Sequence, residues 1–395
     1  MPAASRRDLL CLAALGSTLR AANPRQTIRR VEVFTIPVNH RGDWLIVRVT
    51  TSGGITGIGD ASQGHADAQT LAALRKYVDL LSGGDLFGIE RLRTAAMASK
   101  PFGRSEACAL SAIEQCLWDI RGKLFDLPVS ELLGGRLRGR IRNYANINRS
   151  TVDRSPRGFA AMAERAVKAG FDAIKMAPWD DMPHPAGAAE IERVTQLGID
   201  RAAAVRAVLG PSRDLLLDAH SHFSLEKGLE LARRAEFLNL YWLEEVTPAE
   251  PAASLARINR EARMRTAGGE SIFGVEGFYR YIAAQCADII MPDIKYCGGV
   301  FELKKVAAMC EAAGLPVSPH GPASPVGNAA AAQVCATLPN FLILEFAFGE
   351  VEWRSELTDP PELLSQGVLE IPARPGLGYE LNEKLLARRA TRVVL

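Results

Sequence analysis

The chain has 395 residues, 48% hydrophobic and 23% charged, with 34 Gly and 22 Pro, a composition that supports a large buried core and excludes a disordered or collagenous protein. Lys+Arg total 47 against 45 Asp+Glu, a formal charge of +2, which leaves no electrostatic footprint for nucleic acid or an acidic membrane surface. A small-molecule partner is expected, and the length suits two domains or one barrel of about 250 residues with an appendage.

Residues 1–22 read as a twin-arginine export signal. Arg6-Arg7 precede the apolar run Leu9 to Leu19, which is too short to span a bilayer, and Leu19-Arg20-Ala21-Ala22 approximates a cleavage site. Without those residues 44 basic side chains balance 44 acidic ones, so the excess positive charge lies in the signal. The expected location is periplasmic or exported, and cytoplasmic if the signal is only a frayed terminus. Of the seven cysteines, Cys11 follows Leu10 where a lipidated signal needs a small residue. Cys108 and Cys116 stand about 12 Å apart on a predicted helix, too far to bridge. No C-x-x-C occurs, so a zinc site and thiol redox chemistry are disfavoured and the cysteines are expected to pack as small hydrophobes.

Residues 27–138 are predicted to form an α+β capping domain. Arg30 to Ile36, Trp44 to Thr50 and Ile55 to Gly59 alternate as strands of a small antiparallel sheet, and Ala66 to Leu81 and Ser105 to Phe125 carry helical spacing. In the second helix Ala109, Ala112, Ile113, Cys116, Leu117 and Ile120 share one face. From residue 140 to 345 a short apolar run, a loop and a helix recur. The predicted strands are Tyr144 to Ile147, Ala173 to Met176, Leu215 to Asp218, Tyr241 to Leu243, Thr266 to Gly268, Ile289 to Pro292, Pro316 to Ser318 and Phe341 to Leu344, with helices such as Phe159 to Ala169, Leu225 to Leu238 and Pro325 to Ala336 between them. Eight such units predict an α/β fold, a TIM-type (β/α) barrel. Residues 346–395 break the rhythm and are expected to return to the capping domain.

Chemistry in such a barrel sits at the carboxyl ends of the strands. Those ends carry Lys175, Asp218 with His220, Glu244-Glu245, Glu270, Asp293, His320 and Glu345. One acidic residue after a strand is ordinarily a helix cap or a solvated loop residue. Seven charged ends around one barrel mouth are tolerable only if cations or substrate complete them. Asp218, Glu244 and Glu270 are spaced 26 and 26 residues apart, one βα unit each, so three carboxylates can converge. Hard oxygen donors without Cys or His point to one Mg²⁺, with Mn²⁺ as substitute.

Asp218, Leu243-Glu244-Glu245, Gly269-Glu270, Met291-Pro292-Asp293-Ile294-Lys295 with Gly298-Gly299-Val300, Ser318-Pro319-His320 and Leu344-Glu345 resemble the mandelate racemase subgroup of the enolase superfamily. Ala112-Ile113-Glu114, Leu117 to Lys123 and Leu132-Leu133-Gly134-Gly135 resemble that family's capping domain, so the resemblance spans nearly the whole chain after the signal. It implies abstraction of the proton α to a carboxylate with Mg²⁺ on Asp218, Glu244 and Glu270, a Lys or His base being usual in such sites. It further implies His320 as general base or acid oriented by Asp293, Lys175 offsetting charge on the substrate carboxylate, and Glu345 hydrogen-bonding to that carboxylate.

Two departures bear on the reaction. Related two-base racemases carry Lys-x-Lys after the second strand, whereas Lys175-Met176-Ala177 ends in alanine. Asp218-Ala219-His220 puts a histidine two residues past the metal ligand, on the same side of a continuing strand, and resembles galactonate-type dehydratases; His220 could protonate a leaving hydroxyl. His222 shares that alternation but is expected to lie beyond the strand, a substrate contact at best, and Val246 replaces the family's usual proline. The expected activity is Mg²⁺-dependent dehydration of a sugar acid to a 2-keto-3-deoxy acid, a lyase reaction. Racemisation or epimerisation, with His220 replacing the missing lysine, and an exported binding protein without turnover are the alternatives. Asn39 to Trp44 and His65 are expected to contact a polar ligand from the capping domain, with an ordinary hairpin loop as the competing reading. A homo-oligomer is expected, with no nucleic acid and no membrane span.

Overall fold

The computed structural model describes residues 26–64, 67–81 and 86–395; the signal expected over residues 1–22, with Cys11, and the candidate contact His65 lie outside the described residues. Strands β1 (Ile28–Asn39), β2 (Gly42–Thr51) and β3 (Thr56–Asp60) form an antiparallel meander, followed by helices α1 (Asp67–Leu81), α2 (Ile89–Ala98) and α3 (Arg104–Phe125). The predicted apolar face of α3 is buried. A Cβ at Gly57 or Gly59 would come within 2.1 Å of the Cys116 or Ala112 carbonyl oxygen, so these two glycines let β3 lie directly on the helix backbone. Helix α2 goes unanticipated because its buried positions are only Ile89, Leu92 and Ala96, too few for a periodic signal. The described cysteines are free and buried.

The second half is the predicted barrel. Strands β4 (Arg140–Asn146), β5 (Ala173–Met176), β6 (Asp214–Asp218), β7 (Trp242–Glu244), β8 (Thr266–Gly268) and β9 (Ile289–Ile290) pair in parallel in that order, and β10 (Leu344–Ala347) pairs in parallel with β4. The gap is closed by single bridges from Ile290 to Val317 and from Val317 to Phe341. The seventh predicted strand thus shrinks to one bridging residue: Pro316 and Pro319 flank it and have no N–H to extend a ladder. β4 starts four residues earlier than predicted because Arg140 to Arg142 pair antiparallel with β11 (Val368–Glu370), a partner more than 220 residues away. Tyr144, Ala173, Leu216, Trp242, Ala267, Ile289, Met291 and Ile343 fill the barrel interior, which is a packed core and not a pore.

The two halves are tied at their polar seams. Glu114 of α3 accepts hydrogen bonds from the Val300 and Phe301 backbone N–H groups at 2.7 and 2.9 Å, capping helix α4 (Val300–Ala312). At the end of β3, Asp60 accepts from the Ser324 N–H and hydroxyl at 2.9 and 2.7 Å, at the start of helix α5 (Pro325–Cys335). The C-terminal strand β12 (Thr391–Val394) pairs antiparallel with β1. Among the described residues no helix is long and apolar enough to cross a membrane.

Candidate active site

Parallel pairing of β6 with β7 sets Asp218 opposite Glu244, and Glu270 follows β8 by two residues. Their ligand atoms lie within 4.8 Å of one another. Lys175, at the end of β5 and 1% exposed, reaches into this cluster: its Nζ bonds Glu244 and stands 3.0 Å from Asp218 Oδ2 and 3.7 Å from Glu345 Oε1. Burial alone would lower the ammonium, but Asp218, Glu244 and Glu345 outweigh it and hold it well above its ordinary range. Burial, then the charge of Asp218, push Glu244 up. Asp218 Oδ2 and Glu270 Oε2 are buried without a hydrogen bond, although Asp218 Oδ2 does have the Lys175 ion pair. Three converging carboxylates and one lysine leave an excess of buried negative charge with oxygen lone pairs unused. A divalent cation fits that donor set.

His320 Nδ1 and Asp293 Oδ2 are 2.7 Å apart, the predicted dyad. On its other side His320 Nε2 faces Glu270 Oε2 at 3.2 Å and Glu345 Oε2 at 3.6 Å. Burial would depress the imidazole, but Glu270 and Glu345, with Asp293, hold it above its ordinary value. Glu345 itself accepts from Asn146 Nδ2 at 2.5 Å and the Gly321 N–H at 2.8 Å. Although burial raises its carboxyl, Lys175 and His320 hold it down to about 2. Glu345 thus lies between Lys175 and His320, at the place where a substrate carboxylate is expected. Its hydrogen bonds come from Asn146 and the Gly321 N–H, and Lys175 stays at ion-pair distance.

His220 reaches the site by a turn, which corrects the strand register expected for it. β6 ends at Asp218, and His220 and Ser221 take positive φ of 41° and 59°. The turn is closed by the His220 N–H donating to Asp218 Oδ1 at 2.9 Å. His220 Nε2 then stands 3.1 Å from Asp218 Oδ2, and Nδ1 bonds Asp180, a residue in the loop after β5. Burial lowers this imidazole, but Asp218 and Asp180 raise it well above its usual range. The same turn takes His222 away from the cavity, where it stacks on His184 with the ring nitrogens 2.9 Å apart; it is not a lining residue.

A cavity of about 310 Å³ joins these groups, lined by Lys175, His220, Glu270 and His320 from the barrel and by Arg41, Asp43, Trp44, Ser62 and Gln63 from the capping sheet. Gly42, at φ 119°, lets the hairpin close on Gly64. Arg41 Nη2 then reaches Asp180 Oδ2 at 2.5 Å. Four lining or supporting residues escape a search for titratable strand ends. Asn146 and Asn148 are amides, spaced by two at the end of β4, and Asn148 donates to Asp180 at 2.7 Å. Asp180 lies deep in a loop, and Lys295 lies two residues past Asp293.

Comparison with known proteins agrees with this geometry. Residues 158–385 match the family described as enolase C-terminal domain-like, and residues 18–134 match the mandelate racemase/muconate lactonizing enzyme N-terminal domain. The chain is 30% identical over 381 residues to D-xylonate dehydratase of Haloferax volcanii, covering 92% of this chain and 90% of that one. It is 30% identical over 373 residues to D-galactonate dehydratase of Ralstonia pickettii, covering 92% and 94%. A mandelate racemase/muconate lactonizing enzyme-like protein from Rubrobacter xylanophilus superposes with TM-score 0.85 at 31% identity, over 93% of this chain and 98% of that one. With both halves matched and the carboxylate cluster in place, the chain belongs to the enolase superfamily, in the mandelate racemase/muconate lactonizing enzyme subgroup.

Proposed function

We propose that the protein is a Mg²⁺-dependent acid-sugar dehydratase, a hydro-lyase that converts a sugar acid to the 2-keto-3-deoxy acid. The observation that carries this reading is one cavity walled by two separately partnered histidines, His320 on Asp293 and His220 on Asp180, beside Glu270 and Lys175. Bound to Asp218, Glu244 and Glu270, Mg²⁺ or Mn²⁺ would supply Lewis-acid charge to the substrate carboxylate and so acidify the α-proton.

The chain's own residues divide the rest of the work. Lys175, kept charged by its carboxylates, takes an oxygen of the substrate carboxylate. His320 accepts the C2 proton on Nε2 while Nδ1–H donates to Asp293, whose negative charge stabilises the imidazolium. The C2–H electron pair becomes the C2–C3 double bond as the C3–O bond breaks, and His220 Nε2–H gives its proton to the departing hydroxyl, which leaves as water. The enol then takes a solvent proton at C3. Ala177 stands where a second lysine base would be, which favours elimination over racemisation, and the dehydratase names of the relatives support the same reaction class.

A screen of sugar acids with Mg²⁺ in D₂O tests this. Keto acid carrying deuterium at C3 is expected, with recovered substrate unchanged at C2. Epimerised substrate appearing faster than keto acid would replace dehydration by racemisation. Ligand binding without either product and without C2 exchange would make the protein a binding protein.

A further inference from the structure

Lys295 belongs to the Met291 to Lys295 segment, yet the reaction above gives it no role. Its side chain is 2% exposed and it lines the cavity. Each of the other lysine and arginine side chains on that lining has a carboxylate at hydrogen-bond distance: Lys175 has Asp218 at 3.0 Å, Arg41 has Asp180 at 2.5 Å and Arg149 has Glu350 at 2.7 Å. Lys295 Nζ differs. Its one ion pair is with Asp293 Oδ2 at 3.6 Å, beyond hydrogen-bond reach, and that oxygen already accepts from His320 Nδ1 at 2.7 Å. The Tyr296 ring lies 5.2 Å away. Among the described residues the ammonium has no hydrogen-bond acceptor.

An ammonium carries three donors, and that of Lys295 opens onto the cavity with none of them taken by the protein. Burial would favour losing the proton, but Asp293 outweighs it and keeps the group charged above its ordinary value. The arrangement makes sense if a ligand brings the missing oxygen, since a few convergent polar groups fix orientation in such pockets. The placement says which part of the ligand. Lys175 shares Asp218, Glu244 and Glu345, whereas Lys295 shares only Asp293. Lys175 is thus paired with Glu345, which faces His320 Nε2 at 3.6 Å, and Lys295 with Asp293, which holds His320 Nδ1 at 2.7 Å. Both lysines line the same cavity as His320, so a molecule whose carboxylate end is at Lys175 would meet Lys295 with another of its oxygens.

We propose that Lys295 is a substrate-contacting, specificity-determining residue whose ammonium takes an oxygen on the distal carbons of the sugar acid, which selects acids long and oxygenated enough to span both lysines. This rests on the reading of the site as an acid-sugar dehydratase. The test measures kcat/KM for keto-acid formation along the series glycerate, threonate, xylonate and gluconate, with glucarate added for a distal carboxylate, in wild type, Lys295→Met and Lys295→Arg. The ratio of Lys295→Met to wild type should fall about 10- to 100-fold further for gluconate than for the shortest acid turned over, as a lost charged hydrogen bond requires. The loss should lie mainly in KM, with part of it recovered by Lys295→Arg. A larger loss for glucarate than for gluconate would identify the distal oxygen as a carboxylate, and an equal loss a hydroxyl; both support the contact. The same ratio along the whole series, with kcat lowered, would mean that Lys295 only supports the dyad, and would overturn the proposal. If no acid yields keto acid, the dehydratase reading fails by itself. The stabilisation of the folded protein by gluconate relative to glycerate, measured by thermal shift with Mg²⁺, then decides Lys295: loss of that difference in Lys295→Met supports the contact and its retention overturns it.

Discussion

His320 has two faces with different duties, Nδ1 held by Asp293 at 2.7 Å and Nε2 turned to Glu270 at 3.2 Å. Asparagine can keep the hydrogen bond to Asp293 but cannot carry a proton. His320→Asn should therefore lower kcat by roughly 10²- to 10⁴-fold while the far-ultraviolet circular dichroism of the folded barrel is retained. Turnover near wild type would move the base elsewhere, with His220 the next residue to test. Sequence spacing places Asp293 and His320 on adjacent strand ends, but it is silent on Asp180, which holds His220 from a loop.

At the scale of elements, the α3 to α4 contact joins the capping domain to the barrel. Glu114 serves the Val300 and Phe301 N–H groups and the Trp118 indole N–H at 2.7 Å. Its carboxylate occupies the space where a Cβ on Gly299 would be, 2.2 Å from Oε2, and Gly299 has φ 97°. Glu114→Ala leaves two buried donors and a part-buried one without an acceptor, each buried loss costing about 1–3 kcal/mol. The thermal unfolding midpoint should fall by several degrees, and a midpoint equal to wild type would show that other contacts hold the seam.

At the scale of the whole molecule, a cation that binds the folded cluster and not the unfolded chain stabilises by mass action. Mg²⁺ at 100 times its dissociation constant should add about 2.7 kcal/mol, and a chelator should reverse the rise in unfolding temperature. Glu270→Gln keeps the side-chain volume but removes one charge, so both the thermal shift and activity should decline together. An unchanged Mg²⁺ shift would remove Glu270 from the ligand set. Export is tested separately: replacing Arg6 and Arg7 with lysine should reduce the periplasmic fraction, and an equal fraction would defeat the twin-arginine reading.

The sequence by itself carried the βα rhythm and the strand-end carboxylates, because both are periodic: a buried strand followed by an amphipathic helix repeats in composition, and the residue after each strand occupies an equivalent place at the barrel mouth. It therefore placed Ala173 to Met176 and Thr266 to Gly268 with the bounds observed, and it put Lys175, Asp218, Glu244 and Glu270 in one cluster. It could not carry pairings between distant segments, so β4 began early on β11 and the strand at Val317 shrank to a bridge between prolines. The local alternation rule also failed at His220. A strand that stops at Asp218 hands the next residues to a turn, whose positive φ angles and hydrogen bond to Asp218 decide where each imidazole points. His220 thereby meets Asp180, His222 leaves the cavity, and Lys295 is left with an ammonium facing it. These outcomes depend on which oxygen lies within about 3 Å of which nitrogen, a distance that only the closed barrel and its cap determine.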